Sequence, residues 1–522
     1  MLKFLQTILG NEKLQIIKEN DTAELYFCYP VSFECFKSLY DKLKDKYNFF
    51  ELRETETHLY FSIDEGNELY YFNYYNRINE LTVVRDHTRN YLSFNSPCGE
   101  IICSPTVTSI NLEDFGLSYA VRLSNGKFIV FDAGRDFPPD HEKLYKALIR
   151  GSNNSTPTVA AWIMTHAHSD HFFGFVGFMN TYGDSIKIES ILYNFPEPTD
   201  TERYPGLLRY SLKFGPDCYA ALYINRMRDI INKYKIPTFT PHTGQIYKIG
   251  DAVCEVISTF DDCVERHSDI NTTSTVIRME LAGQVILWAA DASFSAAKIP
   301  EKYEKYLKSD ILQVPHHGFG MGNEDILIKG YDLIDPKTCL LPVSSYNAFT
   351  VFSTFKKSTR YLFTKLNVEE VIVGDPERTI TLPYTPPPYA KKELDKAVLS
   401  GIDNCGSRTW LFTELNTSNE DDLKFTLINL THEKITVDAE MFFEERQYNV
   451  RHIRAEIDPY CLKKIYFLDE TVKTEEVYYN PMSLNNVGIA EEKDFAVRFM
   501  SDQPFIASHS KRKATYYTPN IL

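Results

Sequence analysis

Three histidines and an aspartate fall within six positions of the chain, directly after an apolar segment. Residues 159–164 read as a buried strand, and His166, His168, Asp170 and His171 follow it. Imidazole and carboxylate groups are the ligands that zinc and similar divalent metals prefer. A lone histidine beside a strand is more often structural, but burying four such side chains without a metal would leave several polar groups to satisfy. The spacing therefore predicts a metal site.

Residues of the same kind stand at the ends of other predicted strands. Asp291 ends the apolar strand 284–291, and His316 and His317 follow the next strand along the chain. For Asp291 the alternative is a carboxylate in the first turn of a following helix. Asp132 also ends a strand, and we expect it to hydrogen-bond a ligand histidine rather than to touch metal.

The spacing within the first motif favours two metal ions. In an extended segment His166 and His168 point to the same side, so both can reach one ion. Asp170 and His171, at the turn into a helix for which Asp170 would be the N-cap, face a second ion. Asp291 is placed to bridge the two.

His317 would complete the ligand set of the second ion. Two such ions about 3.5–4 Å apart can hold a hydroxide between them, and metal binding lowers the pKa of water from about 15.7 to near 7. A nucleophile would then exist at neutral pH without a serine or cysteine.

Together these motifs resemble the metallo-β-lactamase superfamily of αββα metallohydrolases, over about residues 100–385. Residues 271–276 (Asn-Thr-Thr-Ser-Thr-Val), a hairpin containing Gly283 and residues 314–318 are similar to one branch of it. That branch contains the hydrolase domains of ComEC-type DNA-uptake proteins and the phosphorylcholine esterases. The resemblance implies two divalent metal ions as cofactors, zinc first, with manganese or iron as alternatives.

The resemblance also assigns roles to single residues. In this branch the second histidine of the late pair is the ligand, which leaves His316 to touch substrate. Asp170 would manage protons as well as bind metal, so the catalytic roles fall on Asp170 and His316. The metal ligands implied are His166, His168, Asp170, His171, Asp291 and His317. Asp132 would hydrogen-bond a ligand histidine without touching metal.

The superfamily often supplies one more histidine between the opening motif and the bridging aspartate. The candidates are His267, which lies nearer to the expected place, and His242, which reads as a turn residue. ComEC-like relatives commonly lack this ligand, so a site without either histidine is the third alternative.

Composition and charge restrict the partners of the chain. The residues are 43% hydrophobic and 24% charged, with a formal net charge of −15. An acidic balance disfavours broad binding to nucleic acid or to an anionic membrane, because both need a basic surface. The sequence has neither a stretch long enough to span a membrane nor a signal peptide, so we expect a cytoplasmic protein.

Three domains are expected in an α/β (α+β) chain. Residues 1–98 read as a small α/β cap, residues 99–385 as the αββα hydrolase sandwich, and residues 386–522 as an immunoglobulin-like all-β sandwich. A proline-rich segment at 383–392 marks the second boundary.

The expected function is that of a hydrolase that uses a metal-bound hydroxide on a phosphoester or phosphodiester. A lactone or thioester hydrolase of the same fold is one alternative, because fold does not determine substrate. A metal-containing binding or sensor protein without catalysis is the other. The expected partner is a small-molecule or phosphoester substrate; nucleic acid is disfavoured, no membrane is expected, and a homodimer is left open.

Overall fold

The structure is a computed structural model, and contacts divide the chain into two compact units. The first comprises Met1–Ala348 and Lys356–Asp395, and the second comprises Phe349–Phe355 and Lys396–Leu522. The division into three domains at residues 98 and 385 stays a prediction. The structure describes residues 2–9, 14–19, 22–113, 116–153, 155–196, 220–262, 270–345, 347–353, 356–405, 407–416, 423–429, 431, 433–443, 451–459, 461–467, 472–476 and 494–511.

The chain begins with an antiparallel sheet of six strands in the order β1-β2-β6-β5-β4-β3. Helix α2 covers it, as its alternation of apolar and charged residues predicts, and Ser32 caps the helix by accepting a hydrogen bond from the amide of Cys35. Beneath the helix, Phe36 stacks on Tyr74 with ring centroids 4.0 Å apart. The elements are α1 (Leu2–Leu9), β1 (Leu14–Glu19), β2 (Ala23–Cys28), α2 (Phe33–Lys46), β3 (Phe49–Glu54), β4 (His58–Asp64), β5 (Leu69–Tyr75) and β6 (Glu80–Asp86).

A second sheet contains the strand that leads into the histidine motif. Its order is β13-β12-β10-β9-β8-β7-β21, with β11 also paired to β10. Strands β9 and β10 run parallel, so their carboxyl ends lie at the same edge. Residues 117–132, with the turn Ser-Asn-Gly-Lys at 124–127, have the pattern of a β-hairpin that ends at Asp132, and they form one as β8 and β9. The strands are β7 (Thr106–Ser109), β8 (Tyr119–Arg122), β9 (Phe128–Phe131), β10 (Thr158–Ile163), β11 (Lys187–Ile188), β12 (Ile191–Leu192), β13 (Thr238–Phe239) and β21 (Arg378–Thr381).

A third sheet carries the later candidate residues. Its order is β14-β15-β16-β17-β18-β19-β20, antiparallel up to β17 and parallel from there onwards. The two candidate segments that follow β17 and β18 therefore leave the sheet at one edge. The strands are β14 (Ile246–Ile249), β15 (Ala252–Ser258), β16 (Val276–Leu281), β17 (Gln284–Trp288), β18 (Ile311–Gln313), β19 (Thr338–Leu341) and β20 (Glu370–Val373).

The second and third sheets pack face to face. Residues from both contribute to one buried cluster, in which Phe131 of β9 stacks on Trp288 of β17 at 4.2 Å between ring centroids. Apolar residues that alternate with these, such as Trp162 of β10, point to the opposite faces and pack against helices. This mixed α/β arrangement is consistent with the expected αββα architecture.

Helices flank the two facing sheets. Phe175 of α4 packs edge-on against Trp162 of the second sheet, and the phenol of Tyr331 on α7 lies near the Cys339 thiol of the third sheet. Among the described residues, no helix has the length and apolar content that crossing a membrane requires. Along the chain after β6, the described helices are α3 (Pro138–Gly151), α4 (Phe173–Tyr182), α5 (Ala220–Tyr234), α6 (Ile299–Tyr303), α7 (Glu324–Ile334), α8 (Lys357–Thr364) and α9 (Ala390–Cys405), with 3-10 turns at Asn90–Ser93, Gly183–Ser185, Ile270–Thr273, Glu304–Leu307 and Pro315–Gly318 and a π-helical turn at Asn347–Phe352.

Two local predictions differ from the structure. The apolar pattern of residues 188–193 predicts one strand, but the structure has two short strands, β11 and β12, interrupted where the Ser190 hydroxyl donates to the carbonyl of Ala160 at 2.7 Å. The predicted connector 383–392 ends inside helix α9, whose first residue is Ala390.

The second unit is built around one long strand, β28. Strand β22 pairs with residues between 494 and 500 and with Phe505, β24 pairs with residues 495–501, and β23 pairs with residues 505–511, all antiparallel. Alternating residues of these strands form one core, in which the rings of Phe425 and Phe499 lie 5.0 Å apart. The regular elements from Ser407 onward are strands, but the predicted all-β domain 386–522 was wrong in its first part, which is helix α9 (Ala390–Cys405). The two-layer sandwich stays a prediction. The strands are β22 (Ser407–Asn416), β23 (Leu423–Asn429), β24 (Ile435–Phe443), β25 (Arg451–Ile457), β26 (Leu462–Phe467), β27 (Val472–Glu476) and β28 (Asp494–Lys511).

A buried lysine joins the N-terminal sheet to the loop after β15. Lys302 Nζ lies 3.3 Å from Glu80 Oε1 and 3.0 Å from Asp262 Oδ1, and all three side chains are at most 3% exposed. The ammonium group also lies 4.5 Å from the ring centroid of Tyr75. Because a buried charge is costly without its partner, this lysine holds two carboxylates in place.

We expect Lys302→Met to lower the free energy of unfolding by about 3 kcal/mol, because Asp262 would lose its buried cation. Urea unfolding followed by circular dichroism measures this. The matched control is Lys329→Met: the Lys329 and Glu301 side chains are 55% and 28% exposed, so the change should stay within about 0.5 kcal/mol. Equal effects of the two substitutions would contradict a buried ion pair.

Candidate metal centre

The candidate residues lie in loops at the carboxyl ends of parallel strands in both facing sheets. The motif at 166–171 follows β10, Asp132 follows β9, and Asp291 follows β17. A hydrogen bond from the amide of Thr275 to the carbonyl of Thr165, 2.9 Å long, joins the loops of the two sheets. Face-to-face packing therefore brings residues more than 100 positions apart to one place.

His166, His168 and Asp291 form one group that could hold a metal ion. His166 Nε2 lies 3.1 Å from His168 Nδ1 and 3.9 Å from Asp291 Oδ2. His166 is fully buried and Asp291 is 2% exposed. The two histidines converge on one point, as their alternate spacing on an extended segment suggested.

Asp170, His171 and His317 form a second such group. His171 Nε2 lies 3.2 Å from His317 Nε2, which lies 3.4 Å from Asp170 Oδ2. Asp291 Oδ2 lies 3.2 Å from His171 Nε2 and 3.4 Å from His317 Nε2. Asp291 thus stands between the two groups, where a bridging carboxylate would be.

Asp132 stabilises the motif at 166–171 through hydrogen bonds. Its carboxylate accepts hydrogen bonds from the Thr165 amide (2.7 Å), the Thr165 hydroxyl (2.6 Å) and His171 Nδ1 (2.7 Å). Because Nδ1 of His171 carries the donated proton, Nε2 presents its lone pair toward Asp291 when the ring is neutral, as it is when it binds metal. Asp132 occupies the supporting place that the sequence suggested for it.

The donor set fits divalent metal ions. Lone pairs of His171, His317 and Asp291 converge within 3.4 Å, an arrangement that needs a cation or protons between them. Asp291 Oδ1 is also buried, with no hydrogen-bond partner among the residues that the structure describes. Nitrogen and carboxylate oxygen are the ligands that zinc, manganese and iron accept.

Without metal, protons occupy these positions. Burial alone would lower the pKa of His317, but the Asp291 and Asp170 carboxylates outweigh it and raise that pKa to about 9. Burial alone would raise the pKa of Asp291, yet the His171 and His317 imidazoles hold it well below its ordinary value. Burial, aided by the charge of His171, lowers the pKa of His166 well below its ordinary value.

His316 and His317 lie on a strained segment. Both have φ of 51°, in the left-handed region, which costs about 1–3 kcal/mol for each such residue and persists only where the surroundings enforce it. The conformation points His317 inward, at 2% exposure, and leaves the His316 side chain 25% exposed, with Nε2 4.0 Å from Asp291 Oδ2. A substrate contact for His316 stays a prediction.

The structure also places the remaining candidates. His242 pairs through Nδ1 with Asp261 Oδ2 at 2.7 Å and stacks on Tyr71, and it is in neither of the two groups found among the described residues. His267 lies outside the described residues.

The expected N-cap at Asp170 was wrong, and the alternative considered for Asp291 does not apply. Asp170 does not cap helix α4, whose N-cap is Phe172 without a side-chain hydrogen bond, because its carboxylate faces His317 instead. Asp291 does not open a helix either: the next helix, α6, begins only at Ile299.

Asn271 is the site neighbour that sequence reasoning missed. Its side chain is 3% exposed and lies against both His166 and His316. The only signal in the sequence was its place at the start of the motif 271–276, to which no contact was assigned.

Comparison with known proteins supports a domain of one superfamily. Residues 112–328 match the family described as "Metallo-beta-lactamase superfamily", a range that includes all six proposed ligands. Members of this superfamily are commonly hydrolases and typically bind divalent metals. A comparison with curated protein sequences gives no match.

Similarity to solved structures is local. One is titled "Crystal Structure of Thermotoga maritima 1070" (17% identity, 22% of this chain, 88% of that chain, TM-score 0.16). Another is "Anabaena sensory rhodopsin transducer" (15% identity, 20% and 96%, TM-score 0.14). A third is a complex of toad ovary galectin with thio-digalactose (7% identity, 20% and 99%, TM-score 0.14). Similarity at these TM-scores bears on neither fold nor function.

We expect Asp132→Asn to weaken metal binding to the group that contains His171 by about 10–100-fold, because an amide cannot accept all three hydrogen bonds and orient the imidazole. Competition with a chromogenic chelator measures the affinity. Asp251→Asn is the control, since Asp251 likewise accepts a backbone hydrogen bond, from Ser124, but belongs to neither metal group. Equal affinities for the Asp132 variant and the wild type would refute this role.

Metal binding to the second group should strengthen between pH 7 and about pH 9. The raised pKa means that His317 is protonated in the metal-free protein below about pH 9, so a metal must displace that proton. Calorimetric titration in two buffers of different ionisation enthalpy should show proton release at pH 7, and little of it from His317 well above pH 9. An affinity independent of pH would contradict this.

Proposed function

We propose that the chain is a metal-dependent hydrolase with a dinuclear site, zinc being the favoured metal and manganese or iron the alternatives. The observation that carries the proposal is the position of Asp291, within 3.4 Å of His171 and His317 and 3.9 Å of His166. The superfamily match over residues 112–328 supports the reaction class. An intact ligand set argues against a binding or sensor protein, which would have no need to keep every one of these side chains.

Divalent ions bound there would supply a water-derived nucleophile near neutral pH and offset negative charge on an ester oxygen. The residues of the chain hold that arrangement and manage the protons. We assign substrate contact to His316, which is partly exposed beside Asp291. Asp170, whose side chain is 20% exposed, is assigned the transfer of a proton between the site and solvent.

We favour a phosphoester or phosphodiester as substrate. Besides the resemblance to the phosphorylcholine esterase branch, a positive charge separated from His316 by the ring of Phe319 supports this choice. Lys356 Nζ lies 5.5 Å from the ring centroid of Phe319, which in turn lies 5.7 Å from the ring of His316. A cation in contact with the ring that neighbours the partly exposed histidine suits an anionic substrate better than a neutral lactone or thioester.

The test of substrate class is a panel of model compounds given to the metal-loaded protein. We expect turnover of bis-p-nitrophenyl phosphate or p-nitrophenyl phosphate, and slower or no turnover of lactones and thioesters. Turnover of a lactone or thioester alone would select the other branch of the fold, and no turnover of any phosphoester would reject the favoured substrate class.

His168→Ala tests the metal requirement. We expect the wild type to hold about two ions per chain and this variant to lose one ion together with activity, because one ligand of the first group is gone. Elemental analysis and the phosphoester assay measure both. The matched control is His87→Ala, which removes a histidine that also neighbours carboxylates, 3.1 Å from Glu68, far along the chain from the site. Metal content unchanged by His168→Ala would refute the proposal.

A further inference from the structure

Asn271 is held firmly at the metal centre. It lies in the 3-10 turn Ile270–Thr273, where its carbonyl accepts a hydrogen bond from the amide of Ser274 at 3.1 Å. The Ser274 hydroxyl accepts in turn from the amide of Asp291 at 3.3 Å. The turn is thus attached to the aspartate that stands between the two ligand groups.

The Asn271 side chain lies between two histidines of the site. Its Oδ1 is 3.1 Å from His166 Nε2, and its Nδ2 is 3.4 Å from His316 Nε2. A side-chain amide has an oxygen that only accepts and a nitrogen that only donates. Which atom faces which histidine therefore decides what the residue does.

The proton positions around His166 show what this orientation of the Asn271 amide permits. The Thr165 hydroxyl donates its hydrogen to Asp132 at 2.6 Å, so it can only accept from His166 Nδ1, 3.1 Å away. His166 therefore carries its proton on Nδ1 and presents a lone pair at Nε2. An amide NH2 at Asn271 would occupy that lone pair, whereas the amide oxygen leaves it available to a cation.

We infer that Asn271 Oδ1 is a further metal ligand, completing the group of His166, His168 and Asp291. This inference rests on the proposed metal site. Bonds of about 2.0–2.1 Å in tetrahedral geometry place ligand atoms about 3.3–3.4 Å apart. His166 Nε2 is 3.1 Å from His168 Nδ1, 3.1 Å from Asn271 Oδ1 and 3.9 Å from Asp291 Oδ2.

The same orientation makes Asn271 a positioning residue for His316. With the oxygen facing His166, the amide nitrogen donates to His316 Nε2, so the imidazole is held with its own proton on Nδ1. One side chain then connects the first metal to the histidine that we assign to substrate contact. The Asn271 amide would then serve the first ion as the additional histidine does in many members of the superfamily.

The test compares metal affinities of full-length variants by chelator competition. Asn271→Ala removes the oxygen and should weaken the first ion at least about 10-fold. Asn271→Asp keeps an oxygen of the same reach and adds charge, so it should bind the first ion at least as tightly as the wild type. The matched control is Asn194→Ala, which deletes another buried asparagine with two hydrogen bonds, to Pro241 and Asp261, and should leave both affinities unchanged.

The ion concerned is the one that His168→Ala removes, which separates this inference from the proposed function. Loss of that ion's affinity in Asn271→Ala, with recovery in Asn271→Asp, supports the ligand role. If Asn271→Ala is folded by circular dichroism and holds that ion as tightly as the wild type, the inference is overturned and Asn271 is a hydrogen-bond bridge. If it does not fold, Asn271→Asp decides: binding weaker than the wild type overturns the inference. A wild type with two ions but no hydrolytic activity would overturn only the function.

Discussion

A buried carboxylate, Asp291, is the constraint around which the candidate site is arranged. An ionised carboxylate taken out of water is stable only when cations or donors surround it. Here the histidines of two loops converge on Oδ2, while Oδ1 has no hydrogen-bond partner among the described residues. The site therefore requires positive charge, and protonated imidazoles or divalent metals are the two ways to supply it. Proton and metal compete for the same lone pairs, which makes the centre sensitive to pH.

The scaffold holds this arrangement under strain. Asp132, Ala290, His316 and His317 all have left-handed backbone angles, and each flanks or belongs to a ligand loop. None of them is glycine, so the conformation is enforced by surrounding packing rather than by preference. That packing is the face-to-face contact of two sheets, in which Phe131 of one stacks on Trp288 of the other just before those loops begin.

The N-terminal sheet is hydrogen-bonded to the turn that follows β13. Asn73 donates to the carbonyl of Thr243 at 2.9 Å, and Arg53 donates to that of Gly244 at 3.3 Å, so the turn after β13 is held by this sheet. Two of its aromatic residues, Tyr60 and Tyr71, are fully buried and belong to a hydrophobic core. His242 in the same turn is hydrogen-bonded to Asp261 and belongs to neither candidate metal group. This pairing is typical of a structural histidine rather than of a metal ligand.

The sequence alone determined the types of the candidate ligands, their local spacing and their places at strand ends, because alternation along an extended segment is a property of neighbouring residues. His166 and His168 could be paired in that way, whereas the contacts of Asp132 with Thr165 and His171 depend on the pairing of two strands. Tertiary structure decided what depends on residues distant along the chain. Asp170 faces His317 rather than capping its own helix, and Asn271 reaches His166 across 105 positions. Such contacts follow from how two sheets pack, and no local pattern encodes that distance.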